Sequence, residues 1–503
     1  MIFGWFRRRF ARARVRRQLD SIERDNAAGR NVNEYRAPVE AYVKSDRVEN
    51  VVVSGNNKSI RDRVCCAAAF RAHSLGYPVI VLHSGNEQLE RMLTDAFTAD
   101  RRALRIINEG NKIYDPFLDL NKDQISQLVL SSADDSCRIQ HNGGIYIKGL
   151  VDYLTARSQV PSARSFIRCP HDEMWNRIRD HVNDGSMSSD VANVINDEIT
   201  RGQSERGNVK LYFDVLEKQA QCILADRDAI TSGRAVSIRR AVAGGQVVAI
   251  DVVPSSGNLL LNILTQEMKD EMSAGRPFVF ILDGVPTESS KALGDLLRTF
   301  SSRCRFVYSS RDAYAESSGS ENTFETIVGR ANTVFVTQHD SARTGNRFSE
   351  YFGRYRFNEV NNSISTGDTY QTYGTILPGY STNNVYSVSH VDRPRVEERE
   401  ITGLPSDRVF IKQEGRTEII LLRVTSGIAS LTYPEPRRRS AASAGRRGHV
   451  NWLIFAILLV LSPPLAFVYG FFTSGRRGKI VFGSLFLACV AAALIYYKIN
   501  GAF

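Results

Sequence analysis

Six short runs are apolar at nearly every position: NVVV at 50–53, YPVIVL at 77–82, QVVAIDVV at 246–253, FVFIL at 278–282, RFVY at 305–308 and TVFV at 333–336. A strand with no polar alternation has no face for water, the condition of a parallel sheet covered by helices on both sides. Helix-like segments at 61–74, 258–272 and 289–300 lie between these runs. Buried strands alternating with helices predict an α/β fold with a mostly parallel sheet. Residues 111–235 break the rhythm with helical periodicity at 122–130, 144–157, 174–183, 191–201 and 209–226. They predict an all-α domain inserted between a first half of the core at 19–110 and a second half at 236–435. Residues 358–392 are rich in Asn, Ser, Thr, Tyr and Gly and read as a long polar loop, either functional or disordered. Two further strands, at 408–412 and 417–424, close the second half.

The 503 residues carry a net charge of +11, which invites a nucleic-acid-binding reading. Position confines that excess to the two ends. Residues 1–17 hold seven Arg and no acid, and residues 434–503 hold nine Lys/Arg against Glu435 alone, so the body between them is about −4. Residues 450–472 and 480–497 are free of charge, and each is about long enough to cross ~30 Å of hydrocarbon. They predict a transmembrane hairpin at 450–498, preceded by a basic linker at 436–449 (Arg437, Arg438, Arg439, Arg446 and Arg447). Five arginines before the first span outnumber Arg476, Arg477 and Lys479 between the spans, which puts the body in the cytoplasm, on the cytoplasmic membrane. Pro463-Pro464 leaves a re-entrant first segment as the alternative topology. Residues 1–18, with Trp5, Phe6 and Phe10 among the arginines, read as a basic amphipathic helix on a lipid surface, with a nucleic-acid arm or a disordered tail as alternatives. The seven cysteines show no paired spacing, and a reduced compartment fits them.

The first apolar strand runs into Ser54-Gly55-Asn56-Asn57-Lys58-Ser59 and then a helix. A strand, a tight Gly-containing loop, Lys-Ser and a helix are the parts of a phosphate-binding loop, in which backbone N–H groups hold phosphates, Lys reaches the terminal oxygens and Ser ligates Mg²⁺. The match to G-x-x-x-x-G-K-[ST] is incomplete: Val52 stands at the first glycine and Asn57 at the second. Asn tolerates φ > 0, so Asn57 is expected to imitate glycine. The strand at 278–282 delivers Asp283, the carboxylate such proteins use for the Mg²⁺ shell. Gly284 follows where many such ATPases have Glu, and the nearest downstream acid is Glu288. ATP and Mg²⁺ are thus the expected cofactors, with Gly55, Asn57, Lys58 and Ser59 on the nucleotide, Ser59 and Asp283 on the metal, Asp283 catalytic, and hydrolysis weak or absent.

In the order of these pieces the chain resembles the TraG-like coupling proteins of conjugation and type IV secretion, P-loop relatives of hexameric DNA-pump ATPases. The resemblance rests on VVVSGNNKS, the helical insertion, FVFILDG, the segment ANTVFVTQHDSARTGNRFSEYFGRYRF with Asp340 and Gly353, and EREITGLPSDRVFIKQEGR. It implies a P-loop NTPase-like core, a membrane-anchored ATPase-like coupling protein, secretion or conjugation proteins as partners, single- or double-stranded DNA as substrate, and a homo-hexamer. The departures are the lost glycines, Gly284, Ser310-Arg311 where the family often has Gln, and an anchor at the C-terminal rather than the N-terminal end. They leave a second reading, a catalytically inactive pseudo-ATPase that serves as a membrane-bound scaffold. Arg234, Arg239 and Arg240, and Arg343, Arg347, Arg354 and Arg356 beside Phe348, Tyr351 and Tyr355, are the residues a DNA groove would use, or else a solvated face over core aromatics.

Overall fold

The computed structural model describes residue 17 and residues 19–134, 137–252, 258–285, 291–299, 304–317, 320–369 and 379–426. The chain divides into two units, Met1–Leu431 and Thr432–Phe503, and the second lies outside the described residues. So do the basic linker at 436–449, the apolar hairpin at 450–498 and, apart from residue 17, the N-terminal basic segment. Among the described residues no helix is long and apolar enough to cross a membrane.

Among the described residues, ten of twelve strands form one sheet, in the order β1-β12-β11-β8-β2-β7-β6-β3-β5-β4. These are β1 (Val32–Ala37), β2 (Val51–Ser54), β3 (Val79–His83), β4 (Leu104–Ile107), β5 (Val247–Asp251), β6 (Val279–Asp283), β7 (Arg305–Ser310), β8 (Thr333–Val336), β11 (Arg408–Gln413) and β12 (Ile419–Val424). From β4 to β8 every neighbouring pair is parallel. β11 runs antiparallel to β8 and β12, and β1 lies parallel to β12 at the far edge. β2, β3, β6 and β8 are buried at every residue, as their unbroken apolar runs require. The sequence gives little sign of β1 and β4. β1 is mostly exposed (VNEYRA), and β4 is four residues long with Arg105 facing out, so neither shows a continuous apolar run.

The longer helices are α1 (Lys58–Ser74), α2 (Glu87–Ala96), α3 (Lys122–Ser132), α4 (His141–Ala156), α5 (Met174–Asn183), α6 (Ser189–Arg201), α7 (Arg206–Ala220), α8 (Leu259–Ser273), α9 (Lys291–Thr299), α10 (Glu321–Gly329) and α11 (Ala342–Phe352). α1 lies against β3, β6 and β7, and its run Cys65-Cys66-Ala67-Ala68-Ala69 is small enough for close approach to the sheet. α3 to α7 all fall between β4 and β5. Their buried side chains are continuous with those beneath the sheet, and the Tyr114 hydroxyl donates to Glu267 Oε2 on α8 at 2.6 Å.

The polar loop expected at 358–392 is instead a ribbon. β9 (Arg354–Thr369) and β10 (Gly379–Pro394) pair antiparallel over sixteen residues each, from Arg354↔Pro394 to Thr369↔Gly379. Its composition hides it, because a two-stranded ribbon away from the sheet needs no apolar face and its backbone groups are satisfied by cross-strand pairing. Its base is tied to the body: Asn26 Nδ2 donates to the Asn358 carbonyl at 3.0 Å, and Asn358 N–H donates to Asn26 Oδ1 at 2.7 Å.

Candidate nucleotide site at the carboxyl edge of the sheet

Because β2, β3, β5, β6 and β7 are parallel, their last residues, Ser54, His83, Asp251, Asp283 and Ser310, reach one edge of the sheet. That carboxyl edge is where open α/β sheets bind ligands. β7 lies between β2 and β6, so the phosphate-loop candidate and Asp283 sit one strand apart.

The loop after β2 is short, and its first three N–H groups are engaged. Gly55 N–H donates to the Ser310 carbonyl at 3.1 Å, Asn56 N–H to the Gln338 carbonyl at 2.7 Å, and Asn57 N–H to Thr337 Oγ1 at 3.4 Å. Gly55 has φ +126°, and a Cβ there would lie 2.2 Å from Thr337 Oγ1 and 2.7 Å from the Gln338 carbonyl oxygen. The glycine therefore serves close backbone packing against the segment after β8. Asn57 does not imitate glycine: its φ is −75°, and it caps α1, its side-chain oxygen accepting from Ile60 N–H at 3.0 Å. Its amide donates to the Ser406 carbonyl, and Arg61 donates to the Gly55 carbonyl. Lys58 and Ser59, in the first turn of α1, are exposed.

Asp283 is 4% exposed and belongs to a buried polar cluster. Ser309 Oγ donates to its Oδ1 at 2.5 Å, and Asn86 Nδ2 donates to its Oδ2 at 2.5 Å. The same Asn86 amide donates to Asp62 Oδ1 at 2.7 Å, while Asp62 Oδ2 is buried with no hydrogen-bond partner. Burial pushes the Asp62 carboxyl up to about 6, the nearby Asp283 charge adding to it and the Asn86 bond opposing it. Asp62 and Asn86 escape motif reading, although each leaves a trace: an acid on the buried face of α1, and an Asn at the N-cap of α2 whose oxygen accepts from Leu89 N–H.

A phosphate cradle needs inward N–H groups without partners. Here the loop's N–H groups at 55, 56 and 57 are bound to protein oxygens, Asp283 is enclosed by Ser309 and Asn86, and a backbone carbonyl and Thr337 stand against Gly55. With these bonds in place the N–H groups at 55, 56 and 57 are closed to phosphate, while Lys58 and Ser59 stand exposed at the head of α1. Gly284 has φ +63° and turns the chain after β6, its N–H donating to the Ser309 carbonyl at 2.9 Å. Arg311 Nε donates to Asn56 Oδ1 at 3.1 Å and pairs with Asp340 at 3.3 Å on the exposed rim. Gly353, φ +89°, ends α11.

Of the seven arginines named for DNA, Arg239, Arg240 and Arg347 face acids. Arg239 lies 3.6 Å from Glu271 and Arg240 3.1 Å from Asp119. Arg347 pairs with Glu350 at 3.0 Å and with Glu321, and the Arg343 guanidinium sits 5.1 Å from the Tyr314 ring. Phe348 is buried on Phe324 and His339, the core role of an apolar helix face.

No protein-family model matches the sequence, and no curated protein matches it significantly. Solved structures of the bacterial conjugative coupling protein TrwB are similar to it. The unbound TrwBΔN70 form is 12% identical, with a TM-score of 0.46 over 77% of this chain and 90% of its own. TrwB in complex with the ATP analogue ADPNP is 13% identical, with a TM-score of 0.47 over 75% of this chain and 86% of its own. VirB4 of Thermoanaerobacter pseudethanolicus is 11% identical, with a TM-score of 0.35 over 62% of this chain and 83% of its own.

Proposed function

We propose that this chain is a coupling-protein-like scaffold for a conjugation or type IV secretion-like machine. It keeps a P-loop-type sheet with a closed nucleotide loop and recruits partner proteins, or the DNA they carry, at a membrane. The observation that carries the closed loop is the set of bonds from Gly55, Asn56 and Asn57 N–H to Ser310, Gln338 and Thr337. The coupling role is supported by the order of the motifs around the helical insertion, and the membrane role by the uncharged stretches at 450–472 and 480–497. One feature favours the ATPase reading instead: Lys58 and Ser59 stand exposed at the head of α1, on the same sheet edge as Asp283. A phosphate cradled by the N–H groups at 55, 56 and 57 would require their three bonds to break.

Equilibrium dialysis of the full chain in detergent with labelled ATP and Mg²⁺ separates the two. The scaffold reading expects the same ATP retention in wild type and Lys58→Ala, and hydrolysis indistinguishable between wild type and Asp283→Asn. Saturable ATP binding that Lys58→Ala abolishes would overturn the closed-loop reading and restore the motor.

A further inference from the structure

A cavity of about 330 Å³ opens in the helical insertion between the end of α4, residues 158–170 and residues 227–231. Arg157, Arg164, Arg168 and Arg227 line it, and no carboxylate does. Arg164 is fixed by two backbone acceptors, Nε donating to the Ala225 carbonyl at 2.9 Å and Nη2 to the Leu224 carbonyl at 3.3 Å. Arg157 Nη1 donates to the Tyr153 hydroxyl at 3.2 Å. Arg168 and Arg227 are exposed. Elsewhere Arg239, Arg240 and Arg347 each face an acid, so four guanidinium groups around one carboxylate-free cavity are a local excess within a slightly acidic body. Gathering like charges raises the free energy of the empty site, and a multivalent anion lowers it. Guanidinium groups match phosphate oxygens in fork geometry, and Leu154, Val160 and Ile230 add apolar wall. The volume is that of a small-molecule pocket.

We infer that this cavity binds a phosphorylated small molecule of nucleotide size. Its phosphates lie on Arg157, Arg164, Arg168 and Arg227 and its apolar part against Val160 and Ile230. The site is separate from the loop after β2 and does not depend on that loop being closed.

Titration calorimetry of the full chain in detergent with pyrophosphate, ATP and adenosine tests it. Pyrophosphate and ATP are expected to bind and adenosine is not. Arg168→Gln and Arg227→Gln should each weaken binding about tenfold, the loss of a charge-assisted hydrogen bond, while Lys58→Ala changes nothing. Both variants sit on exposed side chains, and unchanged unfolding midpoints would show that they fold. Absence of pyrophosphate and ATP binding, or binding that the two variants leave intact, would overturn the assignment. ATP binding abolished by Lys58→Ala alone would overturn both this site and the closed loop. A single-stranded oligonucleotide that binds the same arginines more tightly with each added nucleotide, while pyrophosphate does not bind, would replace the small molecule with nucleic acid.

Discussion

Gly55→Ala is the sharpest probe of the closed loop. The backbone at Gly55 has φ +126°, a conformation that L-residues adopt at a strain of about 1–3 kcal/mol. The added methyl would also lie 2.2 Å from Thr337 Oγ1, 2.7 Å from the Gln338 carbonyl oxygen and 2.8 Å from the Thr337 carbonyl carbon. Overpacking of that kind adds about 1–3 kcal/mol. The substitution should therefore destabilise the chain by about 2–6 kcal/mol, a large share of the roughly 5–15 kcal/mol that holds a native protein together. Guanidinium unfolding followed by circular dichroism measures this as a fall in midpoint at unchanged slope. Two of the three close contacts are backbone atoms, so adding Thr337→Ala to Gly55→Ala should recover less than half of the loss. If Gly55→Ala stays within about 0.5 kcal/mol of wild type, the ordinary range for an inconsequential substitution, the close approach between the loop and the segment after β8 is wrong, and the loop is open to a ligand.

Two other outcomes follow from the structure and the sequence. The Asp62 carboxyl titrates near 6 in the folded chain, above its unfolded value, so the stability linked to its proton is present at about pH 4 and lost as pH rises through 6. Asp62→Asn should gain about 2 kcal/mol relative to wild type between pH 4 and pH 7, most of a shift of roughly two pK units at 1.36 kcal/mol each, and a pH-independent difference would refute the buried-acid account. Deleting residues 450–503 should move the chain from the membrane pellet to the soluble fraction; retention in the pellet would transfer the anchoring to residues 1–17.

Much of the fold was legible because burial leaves its mark on sequence. The run TVFV matches β8 at both ends, and FVFIL, YPVIVL and NVVV each mark a parallel strand to within a residue or two. A strand buried on both faces excludes polar residues, which no accident of tertiary packing can hide. β1 and β4 were illegible for the converse reason, one lying exposed at the sheet edge and the other short and split by Arg105. The composition of the ribbon β9–β10 reads as loop because cross-strand hydrogen bonds, which composition does not record, hold it together.

The site divides along the same line. The sequence by itself determined that a loop with Gly55, Asn57, Lys58 and Ser59 leads from a buried strand into a helix, and that Asp283 ends another such strand. It also determined the charge-free stretches at 450–472 and 480–497, since hydrophobicity and charge are properties of the residues themselves. Only the tertiary structure decided what the loop's N–H groups face. Their acceptors, at Ser310, Thr337 and Gln338, lie more than 250 positions along the chain, and the parallel order β8-β2-β7 brings them beside the loop. A motif records which groups a loop carries; hydrogen bonds made across the sheet decide whether those groups remain free for a ligand.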